Sequence, residues 1–302
     1  MVVGQIPFQE FSMQLLNQGL RVEIGPFIVC IQTTHRPLID QLYKLYKDYR
    51  VAPGDIAEFH VQVVTKRSFK NPLSLNVRFL LDGQVPFADF PEQQALAALE
   101  WGINFAIAIR VNHLLLLHSA VIEKNGHVML LPAWPGSGKT TLSTVLSHRG
   151  YRLFSDEFGL MDPQRNIFFP IPRLMPLKNE SINVIRHYLP EAVLGQEIPN
   201  TQKGTVAHVC PPVESIRCAK ETATAKWIIF PKWVPDSALC LDPLSDSEAF
   251  MLLASNSFNY EVLGATGFQA ITHLMRTCIC YKLVYSSFDD VIAAIQMLTD
   301  DA

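Results

Sequence analysis

The sequence predicts an α/β protein, a P-loop core with a smaller N-terminal α+β module. Three observations predict it. An apolar strand at 127–131 runs into a glycine-rich loop that opens a helix. Beyond His113, long apolar strands alternate with helices and carry polar motifs at their ends. The first 90 residues are patterned differently, with shorter strands and amphipathic helical spacing.

In order along the chain, 20–33 and 59–66 are strand-like runs rich in Val and Ile. Between them, 37–48 has helical spacing through Leu38, Leu42, Leu45 and Tyr46. Strand 76–81 stops at the turn dipeptide Asp82-Gly83. A long helix over 91–111 presents Leu96, Ala97, Leu99, Ile103 and Phe105 on its apolar face and bridges the halves. The expected division is therefore 1–90 for the N-terminal module and 91–302 for the P-loop domain. Strands 114–123 and 127–131 flank Lys124-Asn125-Gly126, a type I′ hairpin signal. A two-residue Asn125-Gly126 loop brings His118 opposite Ala133. Helix 140–148 stops at Gly150, and strand 151–155 runs beside the strand of the glycine loop to end at Asp156-Glu157. Strands at 226–230 and 278–285 and helices at 246–255 and 288–298 complete the core. Segments 170–182 and 196–209 read as irregular.

The bulk composition narrows the function classes. Of 302 residues, 49% are hydrophobic and 18% charged, a globular balance. With 25 basic and 28 acidic side chains the net charge is -3, which argues against a nucleic-acid surface. None of the six cysteines forms a C-x-x-C pair, and they read as reduced structural thiols. No secretory leader pattern and no apolar run of spanning length is visible, so a cytoplasmic protein without membrane association is expected.

The chemistry concentrates in Ala133-Trp134-Pro135-Gly136-Ser137-Gly138-Lys139-Thr140, which fits G-x-x-x-x-G-K-[ST] with Ala in the first glycine's place. Gly136 and Gly138 let backbone N–H groups approach phosphate oxygens without an intervening Cβ. Lys139 supplies a point charge for the β- and γ-phosphates, and Thr140 offers its hydroxyl to Mg²⁺. The helix N-terminus adds partial positive charge under the anion. ATP and Mg²⁺ are the expected cofactors, contacted by residues 133–141, Thr141 included. The bland alternative is a glycine-rich turn. Asp156 and Glu157 reach the same sheet edge, where adjacent acids can divide metal binding from proton abstraction; a capping acid at a turn is the alternative. His118 reads as a phosphate-side or catalytic histidine through its hairpin register, against a satisfied core histidine. Lys178, Lys203 and Arg173 are candidate phosphate or substrate contacts, each with an ordinary solvated side chain as its alternative. Segment 196–205 is a candidate lid, and Asn179 a candidate helix cap. Asn256, Asn259 and Tyr260 are candidates for a pocket wall.

His118-Ser119-Ala120-Val121, the Gly-Ser-Gly-Lys-Thr loop and the run from Arg149-Gly150 through Leu153 to Asp156-Glu157 together resemble the HPr kinase/phosphorylase catalytic core. That core spans roughly 114–162. A fuller resemblance is to the HprK-related kinase A family, through Pro86-Phe87, Leu99-Glu100-Trp101-Gly102-Ile103-Asn104, Leu177-Lys178-Asn179-Glu180-Ser181-Ile182, Lys203-Gly204-Thr205-Val206-Ala207-His208 and Ser257-Phe258-Asn259-Tyr260. The resemblance implies a fold of the HPr kinase/phosphoenolpyruvate carboxykinase type and an ATP- and Mg²⁺-dependent kinase acting on a hydroxyl, that of a Ser above all. It implies Asp156 as general base, Glu157 and Thr140 on the metal, Lys139 on the phosphates and His118 at the transferred group. It suggests a peptide or small-protein acceptor, a peptide-chaperone partner of the PQQ-biosynthesis type, and a homo-oligomer. The acid pair departs from the Asp-Asp pattern, and Thr141 stands where HPr kinases carry an acid, which removes support for a reverse, phosphate-using reaction. A non-catalytic nucleotide-gated binding module and a small-molecule kinase remain alternative readings.

Overall fold

The computed structural model describes residues 1–67, 75–134 and 136–300. Pro135 of the glycine loop lies outside the described residues.

The first layer begins with α1 (Phe8–Asn17), β1 (Leu20–Ile24), β2 (Phe27–Thr33), α2 (Arg36–Leu45), β3 (Phe59–Arg67), β4 (Leu75–Leu81) and β5 (Phe90–Pro91). These five strands form one sheet in sequence order, with only β2 and β3 parallel. Residues 20–33 make two strands because Gly25 turns the chain with a φ of 60°, with no room for a Cβ beside Pro170. Alternating burial along β3 and β4 sends Phe59, Val61, Val63, Val77 and Phe79 to one face. Helix α3 (Ala95–Arg110), read from the sequence with the second unit, packs on β3 and β4 and closes that face. Gly102 makes the approach possible, because a Cβ there would overlap the Phe79 ring.

The second layer is built from β6 (Leu115–Lys124), β7 (His127–Pro132), α4 (Lys139–Ser147), β8 (Arg152–Ser155), β9 (Phe158–Asp162) and β10 (Ile167–Phe169). It continues through β11 (Met175–Lys178), α5 (Glu180–Tyr188), β12 (Ile198–Thr201), β13 (Gly204–Val209), α6 (Val213–Arg217) and β14 (Thr224–Trp233). The chain ends with β15 (Cys240–Pro243), α7 (Asp246–Ser255), α8 (Tyr260–Leu263), α9 (Ala265–Thr277), β16 (Ile279–Tyr285) and α10 (Phe288–Asp300). The fold is mixed α/β. Its large sheet runs β10-β9-β6-β7-β14-β16-β15, and β8 also pairs with β6. Strand β14 is parallel to β7 and β16, and the other pairings are antiparallel.

Period-two alternation sorts this sheet's side chains into two cores. Ala120, Ile122, Met129, Leu131 and Ile229 face α4 and α10, whereas Val121, Val128, Leu130 and Ile228 face α7 and α9. Each fully buried aliphatic side chain contributes about 1.5–3 kcal/mol, so register is strongly held. The hairpin follows the two-residue Asn125-Gly126 turn, with Lys124 opposite His127 and Ser119 opposite Pro132.

Two expectations require correction. Strand β8 lies beside β6, not beside β7, because the second edge of β7 is occupied by β14. The antiparallel β6 intervenes, so β7 and β8 still point the same way. Segments 170–182 and 196–209 are not irregular: they contain β11, β12 and β13, a separate three-stranded sheet. Met175 and Leu177 turn into the core shared with α4, while Lys178 faces outward.

Candidate functional site

The glycine loop joins β7 to α4 at the upper edge of the large sheet. Gly136 and Gly138 have φ of 87° and 88°, a left-handed backbone that residues with a Cβ enter only under strain. The loop is anchored from the neighbouring strand, where Trp233 N–H donates to the Ser137 carbonyl at 2.9 Å. A Cβ on Gly138 would come within 3.0 Å of the Trp233 Cβ. Above the loop opens a cleft of about 530 Å³, lined by Ala133, Trp134, Gly136, Ser137, Gly138, Lys139, Thr140 and Thr141. His118, Glu157, Lys178 and Lys203 also line it. Lys139 is buried, and its Nζ has no hydrogen-bond partner among the described residues. A buried ammonium without a partner is costly, and an anion in the cleft relieves that cost. Trp134, which also lines the cleft, is 57% exposed.

The acid pair occupies a break in the partner of β6. Ser155 pairs with Val121 and Phe158 pairs with His118, and Asp156-Glu157 bend out between them. The two acids then diverge. Asp156 is buried against α4, where its carboxylate accepts from Thr140 Oγ1 at 2.9 Å and Ser143 Oγ at 2.7 Å. Burial raises its pKa, an effect that Lys139 and the two hydroxyls oppose. Glu157 enters the cleft, with Oε1 3.7 Å from His118 Nε2. Burial would raise its pKa as well, but Lys139, His118, Lys203 and Lys178 outweigh it and hold the carboxyl below its ordinary value. The acid expected on the metal thus faces open space, and the acid expected as base sits against the metal-binding threonine.

His118 is fixed by backbone on both sides. Its N–H donates to the Asn256 carbonyl at 2.7 Å, and its ring lies 5.3 Å from that of Phe258. Burial first, and Lys139 next, lower its pKa to about 4, so the imidazole is neutral at pH 7 and its contact with Glu157 is not an ion pair there. Asn259 is buried and does not line the cleft. It accepts from Leu116 N–H at 2.9 Å and donates to the Leu114 carbonyl at 2.8 Å, clamping the start of β6.

Lys178 ends β11 and Lys203 occupies the β12–β13 turn, so both reach the cleft from the small sheet. Burial first, and the neighbouring Lys203 next, lower the Lys178 pKa, against the pull of Glu157 and Asp156. Asn179 stands at the N-cap position of α5, but its side chain makes no capping bond; its Oδ1 accepts from Thr205 N–H at 3.1 Å and ties the two strands together. Arg173 is the candidate that does not reach the cleft. It is buried behind it, donating to Glu100 Oε2 at 2.5 Å and to Asn104 Oδ1. Tyr46 donates to the same Glu100. A separate cavity of about 20 Å³ lies there, bounded by Glu100, Trp101, Asn104, Arg173, His208 and the acid pair. Sequence reasoning missed Ser143 as a carboxylate partner, although Ser143 follows Thr140 by three on α4 and hence shares its face. It also missed the contact of Phe258 with His118, which no local pattern encodes.

No protein-family model matches the chain, and no curated protein matches it.

Proposed function

We propose that the cleft binds ATP with Mg²⁺ and that the protein is a phosphotransferase acting on a hydroxyl group. The carrying observation is the convergence of three lysines, a part-exposed Glu157 and a neutral His118 on a glycine loop that opens a helix. The residues present fit such a ligand. Lys139 Nζ is buried and unpartnered among the described residues, and Gly136 and Gly138 leave the loop free of side chains where phosphates would rest. Bound MgATP would supply the transferable phosphoryl group and a metal charge against the negative charge developing in transfer. Thr140 and Asp156, already joined at 2.9 Å, are the pair suited to hold the metal. Lys139, Lys178 and Lys203 neutralise phosphate oxygens. Glu157, held ionised by those cations, takes the proton of the acceptor hydroxyl, and His118 orients it. This assignment exchanges the roles that the family resemblance implies for Asp156 and Glu157. The resemblance to HPr kinase-like proteins supports a Ser of a peptide or small protein as acceptor.

The test is MgATP binding and slow turnover by the whole chain. Lys139→Ala should abolish binding. Asp156→Asn should raise the Mg²⁺ concentration needed. Glu157→Gln should keep binding but lose roughly 10²–10⁴-fold in turnover. Wild-type turnover in Glu157→Gln with collapse in Asp156→Asn would return the base to Asp156. Binding without turnover in every form would favour a nucleotide-gated binding module.

A further inference from the structure

The run Glu100-Trp101-Gly102-Ile103-Asn104 on α3 has no part in the chemistry above, yet Trp101 meets a cation of the cleft, and Glu100 and Asn104 hold the buried Arg173 behind it. Lys203, a cleft-lining cation, has its Nζ 5.6 Å from the centre of the Trp101 ring. A cation over an indole face is attracted by the ring quadrupole and loses rotational freedom. The turn that carries Lys203 is itself fixed. Gln94, at the start of α3, donates to the Asn200 carbonyl at 2.9 Å. Thr201 Oγ1 donates to the Gly204 carbonyl at 2.7 Å and accepts from Lys203 N–H at 3.0 Å. Gly204 has a φ of 85° and lies against Asn179 with no room for a Cβ. Beside Trp101 on α3, Glu100 and Asn104 hold Arg173, which leads into the strand ending at Lys178. Trp101 also bounds the small cavity behind Glu157. Helix α3 therefore meets Lys203 directly and holds the chain that leads into the strand of Lys178.

We propose that Trp101 is a positioning residue for the phosphate site: its ring seats the Lys203 ammonium at the cleft wall, so that the N-terminal layer sets the cation arrangement met by the nucleotide. This rests on the phosphotransferase reading, and it identifies what the first layer does for that site. Trp101 touches no reacting atom; it acts through Lys203.

The experiment is a double-mutant cycle on MgATP affinity and on kcat and KM for turnover, with Trp101→Leu, Lys203→Gln and the double variant in the whole chain. Trp101→Leu should lower affinity roughly three- to tenfold. Trp101→Phe, which keeps a ring face, should recover most of that loss. In the Lys203→Gln background, Trp101→Leu should have no further effect. Should Trp101→Leu fail to fold, the fluorescence difference between wild type and Trp101→Phe isolates the Trp101 signal. That signal should change on adding MgATP and stay unchanged in Lys203→Gln. Independent, multiplying losses from Trp101→Leu and Lys203→Gln, wild-type affinity in Trp101→Leu, or a Trp101 signal indifferent to Lys203 would each overturn the proposal. A wild type that binds MgATP no better than Lys139→Ala would instead overturn the phosphotransferase reading beneath it.

Discussion

At the scale of single residues, the electrostatics of the cleft decide which carboxylate can act as a base. Glu157 is pulled both ways, by burial toward the protonated form and by three lysines and His118 toward the ionised form, and the cations prevail. A carboxyl whose pKa is depressed stays ionised as pH falls, and loses its charge only as pH passes through the lowered value. An acid limb above the usual glutamate pKa of about 4.3 should come from Asp156, whose pKa burial raises, while the Glu157 limb should lie below that value. Lys178→Gln removes one of the opposing charges and should move that limb upward. A pH profile of kcat for the two proteins checks both statements. A limb near 6.5, the usual histidine value, would make His118 the titrating group instead. That outcome conflicts with the burial that lowers the His118 pKa to about 4.

At the scale of elements, the site depends on close approaches that glycine alone permits. Helix α3 lies on β4 with the Phe79 ring where a Cβ of residue 102 would stand. Phe79 is fully buried in the shared core. Gly102→Ala should destabilise the protein by about 1–3 kcal/mol, the range for overpacked cores, seen as a lower urea midpoint with an unchanged slope. The same helix carries Trp101 and Glu100 toward the cleft, so a shift of α3 should also weaken nucleotide binding. Strand β6 is the other decisive element. One edge meets β8 and β9 in succession, and the acid pair bends out where the partner changes. The opposite edge meets 256–258 before it meets β7, which fixes His118 between them.

At the scale of the whole molecule, the two layers share one core rather than meeting across a linker. Leu114, Leu116, Phe158, Leu160 and Ile171 pack in the same cluster as Leu38, Val61 and Phe79 of the first layer. Cooperative unfolding in a single transition is expected. The Arg173–Glu100 pair is buried at this junction, and removing one member strands the other charge. Arg173→Met should cost about 3–5 kcal/mol, whereas Arg173→Met with Glu100→Leu should recover much of it. Chemical denaturation of the three proteins measures the difference. Equal stability of wild type and Arg173→Met would mean that the pair does not hold the layers together.

The sequence alone determined what is encoded locally. Glycines before Lys139-Thr140 mark the loop, the Asn125-Gly126 turn sets the hairpin register, and period-two alternation marks the strands, because each depends on neighbouring residues only. Arg173 looked like a phosphate ligand because a basic residue near the loop has the same local pattern whether it faces solvent or a buried acid. Segments 170–182 and 196–209 looked irregular because their pairing partners lie far away in sequence. The tertiary structure decided which edge of the hairpin receives β8, and hence which acid meets Thr140 and which enters the cleft. It also decided that α3 reaches Lys203 and Arg173. Those outcomes depend on contacts between residues distant in the chain, which packing selects and no short stretch of sequence records.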